Sequence, residues 1–277
     1  MRRLFLATTL SISLLTQAAI AQNFFDKYEA RVTQIQSSQP KWIPPVVSPY
    51  PMLIQVFRAD FSRQISPTLV SNWNLGVSRG LNLIPVKNTE VDILVPPYNE
   101  HGDNTSDGFG DFSFTLKYRI LSGNEKHGNY LLSAFATTTV PTGSYKNGAT
   151  NATVAPTLAG GKGFGKFDVF TNLGGTLPTG NTVSIGRTIN SNTTFQYHVQ
   201  KYLYPELEIN TTAYFGGTKD GKVQTFLTPG LMFGGVKLRP HDPKSRLGVA
   251  FGAGFQVATT TYHAYNHAAV MTGRFVF

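Results

Sequence analysis

The chain has 277 residues, a formal charge of +9 and no cysteine, with 20 Phe, 12 Tyr and 27 Gly. The lack of Cys excludes disulfides and thiolate metal sites. The Lys and Arg are scattered rather than clustered, which argues against a nucleic-acid partner and leaves attraction to anionic lipid headgroups or solutes as the milder reading of the charge. No run beyond the N-terminus approaches the roughly 20 consecutive apolar residues of a spanning helix.

Residues 1–21 read as a secretory leader: Met1, Arg2 and Arg3, an apolar run from Leu4 to Leu15, then Ala19-Ile20-Ala21 as an A-x-A site before Gln22. The next unit spans 22–50. Its first part, "NFFDKYEARVTQIQ", puts Phe24, Phe25, Tyr28, Val32 and Ile35 near one helical face, which predicts a short amphipathic helix. The following "SSQPKWIPPVVSPYP" is a Pro-rich connector that cannot hold regular structure for long. The whole unit is expected to be a periplasmic or plugging segment ahead of the main domain at 51–277.

That domain alternates. In "GFGDFSFTLKYRIL" at 108–121, Phe112, Phe114, Leu116, Tyr118 and Ile120 interleave with Asp111, Ser113, Thr115, Lys117 and Arg119. A period of two means a strand with two unlike faces. A soluble sandwich buries the aromatic face, whereas a membrane barrel turns it to lipid and the charges to the lumen. Similar segments run at about 52–63, 68–85, 89–97, 108–121, 129–140, 152–161, 167–178, 187–200, 204–215, 222–238, 246–259 and 265–277. The long connections at 98–107, 141–151 and 179–186 are all odd-numbered, while tight ones at 87–88, 162–166 and 201–203 are even-numbered. A sandwich gives no reason for such sorting, but a barrel with one looped and one tight rim does. The chain stops at "MTGRFVF", with Met271, Phe275 and Phe277 on one face. This ending resembles the C-terminal insertion signal read by the barrel assembly machinery, with Gly273 a departure from it. The expected fold is therefore all-β: a single antiparallel transmembrane β-barrel of about twelve strands, in a bacterial outer membrane.

"DGFGDFSFTLKYRIL", the "PTG" turns at 141–143 and 178–180 and "TPGL" at 228–231 together resemble the MetA-pathway of phenol degradation family. The resemblance covers most of the chain after about residue 50. It implies an outer-membrane barrel described as transporter-like and carries no substrate or functional residue with it.

Inward parity nominates Arg58, Asp60, Asp111, Lys117, Arg119, His198, Glu206 and Glu208 as lumen-lining. A three-residue turn at 201–203 would set His198 opposite Glu206 and Gln196 opposite Glu208, a pairing that either binds a solute, moves a proton or merely braces the wall. In "RLGVAFGAGFQVA" the inward row Gly248, Ala250, Gly252 and Gly254 either bends the wall or leaves a groove for a solute or for the N-terminal segment. His263 and His267 share the outward face and read, with Tyr265, as part of an aromatic girdle and not as a metal site. No G-x-S-x-G elbow, phosphate loop or zinc-spaced His motif is present. The expectation is a passive channel for small solutes, aromatic or hydrophobic ones included, with lipid as its surroundings and no cofactor. The alternatives are a structural or surface-interaction barrel with a closed lumen and, behind it, a lipid-modifying enzyme. Whether the lumen is open or occupied separates the first two.

Overall fold

The computed structural model describes residues 25–144, 146–242 and 245–277, so the leader expected at 1–21 lies outside the described residues. Twelve antiparallel strands close into one barrel. They are β1 (Val56–Ile65), β2 (Ser71–Leu75 and Gly80–Val86), β3 (Thr89–Leu94 and Tyr98–Glu100), β4 (Gly108–Phe109 and Phe112–Gly123), β5 (Tyr130–Val140), β6 (Thr153–Phe164), β7 (Phe167–Pro178), β8 (Arg187–Tyr197), β9 (Leu203–Phe215), β10 (Val223–Lys237), β11 (Gly248–Ala258) and β12 (His267–Val276). Each pairs with its neighbour in sequence, and β12 returns to β1 from Val56↔Val276 to Ile65↔His267. Closure leaves no strand edge in lipid, where an unpaired backbone group has no water to turn to.

Three strands are broken, and the breaks are local chemistry. β3 is interrupted at Val95-Pro96-Pro97, where two residues lack the N–H that a ladder needs. β2 breaks at Gly76, whose φ of +93° suits glycine, and the N–H groups of Gly76 and Val77 converge on the carbonyl of Asp60. The pieces on either side keep the same neighbours but change register, by two residues against β1 (Phe61↔Leu75, then Arg58↔Gly80) and by one between β2 and β3 (Leu75↔Tyr98, then Gly80↔Leu94).

The outer face is apolar all round: Phe57, Leu81, Ile93, Leu116, Leu158, Leu173, Leu207, Leu231, Phe251 and Phe275 are exposed. Such a continuous apolar belt has no place in water and matches a bilayer. Among the described residues no helix is long and apolar enough to cross a membrane. The opening pattern at 108–121 is thus resolved, with Leu116 55% exposed outward and Lys117 3% exposed inward.

Candidate functional site in the lumen

The core of this molecule is inside the barrel, and the N-terminal segment makes it. Helix α1 (25–37) covers the mouth bearing the tight turns. Val32 and Ile35, on its predicted apolar face, pack fully buried against Leu53 and Ile84, with Tyr28 alongside. The outer side is tied by an ion pair from Arg246 to Glu29. Arg246 lies in the connection 238–247, whose length is otherwise out of place on a tight rim. Burial lowers the pKa of its guanidinium from the ordinary value, and the Glu29 carboxylate opposes that shift.

Residues 38–55 then enter the barrel and double back. Gln39 pins the neck of this loop: its Nε2 donates to the Leu53 carbonyl at 2.7 Å and its Oε1 accepts from the Leu53 N–H at 3.1 Å. Between them, Trp42, Val46, Ser48, Tyr50 and Met52 are all buried. The wall holds the loop mostly through its backbone. The carbonyls of Pro44 and Pro45 accept from Arg274, and that of Val46 from Arg58 at 3.2 Å. The next N–H groups point the other way: Val46 donates to Glu206 Oε1 at 2.8 Å, and Val47 and Ser48 donate to the two oxygens of Glu208 at 2.8 and 2.5 Å. The sequence PPVVS explains the order. Prolines offer only carbonyls, which arginines satisfy; the following residues offer N–H groups, which carboxylates satisfy. Lys117 reaches the Met52 carbonyl, Ser133 that of Pro51, and Asn172 that of Pro49. Ile54 donates its N–H to Glu90, the partner of Lys117 at 2.7 Å.

Apolar contacts complete the seat. Trp42 lies 4.9 Å from Phe170, centroid to centroid. Val46 packs with Tyr204, Met232 and Ala250. A methyl added at Gly252 would stand 3.0 Å from Val46 and 2.0 Å from the Met232 sulfur, and one at Gly234 would stand 3.2 Å from Ile43. The small-residue row of β11 is therefore the groove in which the N-terminal segment sits.

The filling stops near mid-height. Along β8 the inward residues Gln196 and Thr194 are buried, while Asn192, Asn190 and Thr188 are only half-buried; β9 repeats this from Glu206 and Glu208 to Asn210 and Thr212. Above the plug the wall is uncharged and polar, with an amide row from Asn172 through Asn192 to Asn210, whose side chain also bonds Ser48. The result is a cup that opens at the looped mouth and has the plug as its floor. A recess of about 150 Å³ lies at the floor between Tyr50 and the wall, and a cleft of about 680 Å³ lies among the loops, lined by Asp103, Asn104, Thr105, Ser106 and Lys146. Hydrogen bonds from Thr105 hold the Asp103 carboxyl below its usual range.

Of the nominated residues, Arg58, Asp60, Lys117, Arg119, Glu206 and Glu208 all face the lumen and are buried. Arg58 pairs with Asp60 at 2.5 Å, and Arg119 holds the Ile35 carbonyl and the Asn88 side chain. They grip the plug or brace one another and do not line an open bore. Asp111 departs from the expectation. It sits at the looped rim, where its carboxylate accepts from the N–H groups of Thr142, Gly143 and Ala149 and shapes the first PTG turn. The β8–β9 register is also shifted. The hairpin closes around 200–202, with the Val199 N–H donating to the Leu203 carbonyl, so Gln196 opposes Glu206, Thr194 opposes Glu208, and His198 instead meets Asp168 at 2.5 Å. Tyr265 turns inward, stacked on Phe226 at 4.4 Å with its hydroxyl on Gln256, so it belongs to no lipid girdle. Sequence reasoning missed Glu90, Asp92, Asp168 and Arg274 as lumen charges. Arg274 was detectable, since it shares the inward parity of Thr272.

A family model described as "Putative MetA-pathway of phenol degradation" matches residues 54–235. The chain belongs to this family. Among solved structures the barrel is similar to an outer membrane channel from Pseudomonas putida F1, at 16% identity and a TM-score of 0.55, over 85% of this chain and 100% of that one. It is also similar to the NanC porin, at 10% identity and a TM-score of 0.50, over 80% and 99% of the two chains. No curated protein matches. The closed barrel, its apolar exterior and these likenesses place the family member in the bacterial outer membrane.

Proposed function

We propose that this protein is a passive outer-membrane channel for small solutes, aromatic or otherwise apolar ones included, closed in the state described by its own residues 38–54. The tight-turn mouth would face the periplasm and the cup the exterior. The observation that carries the reading is the width of the lumen: the wall encloses a chain that goes in and comes back, so the same wall with that chain withdrawn is a bore of at least that size. Transport would be by desolvation and weak contacts along the wall, with no cofactor. The printed description of the Pseudomonas structure as a channel supports it, and the phenol pathway in the family's description favours aromatic solutes.

Planar-bilayer recording tests it. The full chain should be closed with brief openings, and Glu206→Gln with Glu208→Gln should raise the open fraction by weakening the grip on Val46, Val47 and Ser48. Silence in both, and in a barrel lacking residues 25–54 that still inserts, would support the second reading, a structural or surface-interaction barrel. The filled lumen is the observation that favours that reading, and the loop cleft beside Asp103 and Lys146 would be its contact surface. Fold relatives that are channels and porins leave a lipid-modifying enzyme the weakest of the three.

A further inference from the structure

The recess at the floor of the cup is built from both the plug and the wall. Val47, Pro49 and Tyr50 form one side, and the wall supplies Asp92, Lys117 and Phe135 among others. Its volume of about 150 Å³ is of the size that holds a single six-membered ring. Its charges are unequally occupied. Arg58 is held by Asp60, and Lys117 by Glu90, with its ammonium 4.3 Å from the centre of the Tyr50 ring and 5.6 Å from that of Phe135. Asp92 is 7% exposed, and one of its oxygens accepts from Asn82 at 2.6 Å. The other accepts from no protein group among the described residues and is not sealed from solvent. A buried carboxylate with a free oxygen calls for a donor.

We propose that this recess is a binding site for a neutral, single-ring solute that donates an O–H or N–H to Asp92. The aromatic and proline faces take the ring. An anion would meet the Asp92 carboxylate, and an ion of either sign would give up its hydration on entering a recess of this size, so a neutral solute is favoured. Because Tyr50 and Pro49 belong to the plug, the site exists only while the plug is seated. By linkage, a bound solute stabilises the closed state and does not drive opening. The role in transport rests on the channel reading; the binding itself does not.

The test is calorimetric titration of the full-length refolded barrel with phenol, cyclohexanol and benzoate, corrected against empty detergent micelles. Phenol and cyclohexanol should bind saturably, and benzoate at least about tenfold more weakly. Asp92→Leu should weaken phenol about tenfold or more, the size expected for losing a hydrogen bond to a charged acceptor, while Asp92→Asn keeps an acceptor oxygen and should stay within a few-fold. Should Asp92→Leu fail to fold, Thr137→Phe fills the recess from the wall and should abolish binding. Phenol should also slow protease cleavage within residues 38–54. Absence of saturable phenol binding, equal binding of benzoate, or indifference to Thr137→Phe would overturn the site. Bilayer recordings on the same preparations separate the two proposals. Binding without conductance in any variant sinks the channel and leaves the site, and conductance without binding does the reverse.

Discussion

Glu208 has no exposed surface, and both its oxygens are occupied by plug N–H groups. Replacing it with Ala would leave two buried donors unsatisfied, at a cost of about 2–5 kcal/mol to the seated plug. The expected outcome for Glu208→Ala is a barrel that still shows heat-modifiable mobility but in which Trp42 is readily quenched by acrylamide. Unchanged quenching would mean that the carboxylate does not hold the segment. At this scale the sequence was informative about faces and poor about partners. Parity correctly turned Lys117, Arg119, Glu206 and Glu208 inward. It could not tell that His198 meets Asp168, because a turn of 200–202 and one of 201–203 preserve the same parity while moving every opposed pair by two residues.

The strands were legible as elements because each carries two faces in two solvents. Even the awkward region 64–98 resolves into two strands that are each broken in the middle, at Gly76 and at Pro96-Pro97. The segment "SSQPKWIPPVVSPYP" was legible only as irregular. Irregular was correct, but its Trp, Tyr and Val residues signal packing, and its prolines give it few N–H groups in need of partners. A loop of this kind can be buried where an ordinary one cannot, since the wall's arginines and carboxylates complete its backbone. The rims test the element order. Single cysteines at Asn104, Lys146 and Val183 should react with an impermeant maleimide on intact cells, and one at Lys166 should not. Lys166 serves better than its neighbour Gly165, whose φ of +66° would strain any other residue. Labelling at Lys166 with protection at the other three would invert the barrel.

In the whole molecule, the plug and the seam of the barrel meet at one point. The N–H of Phe277 donates to the Gln55 carbonyl at 3.3 Å, and Gln55 Nε2 donates to the Phe277 carbonyl at 3.3 Å. One residue later, Val56 begins the ladder with Val276 that closes the ring. The stopper is thus tethered beside the last joint of the wall, at the tight-turn mouth, and it reaches its seat through that mouth without crossing any strand. It follows that the ring and the stopper need not form together. A cylinder can be zipped shut while its cord hangs outside, and the cord can be drawn in afterwards or let out again with no ladder bond broken. Refolding should therefore show two separable phases. With Trp73→Phe, Trp42 becomes the one tryptophan left, and its burial should lag behind the appearance of the heat-modifiable band. If the two signals coincide at every lipid ratio, the cord is trapped during zipping, and each opening of the lumen would then require the wall itself to come apart.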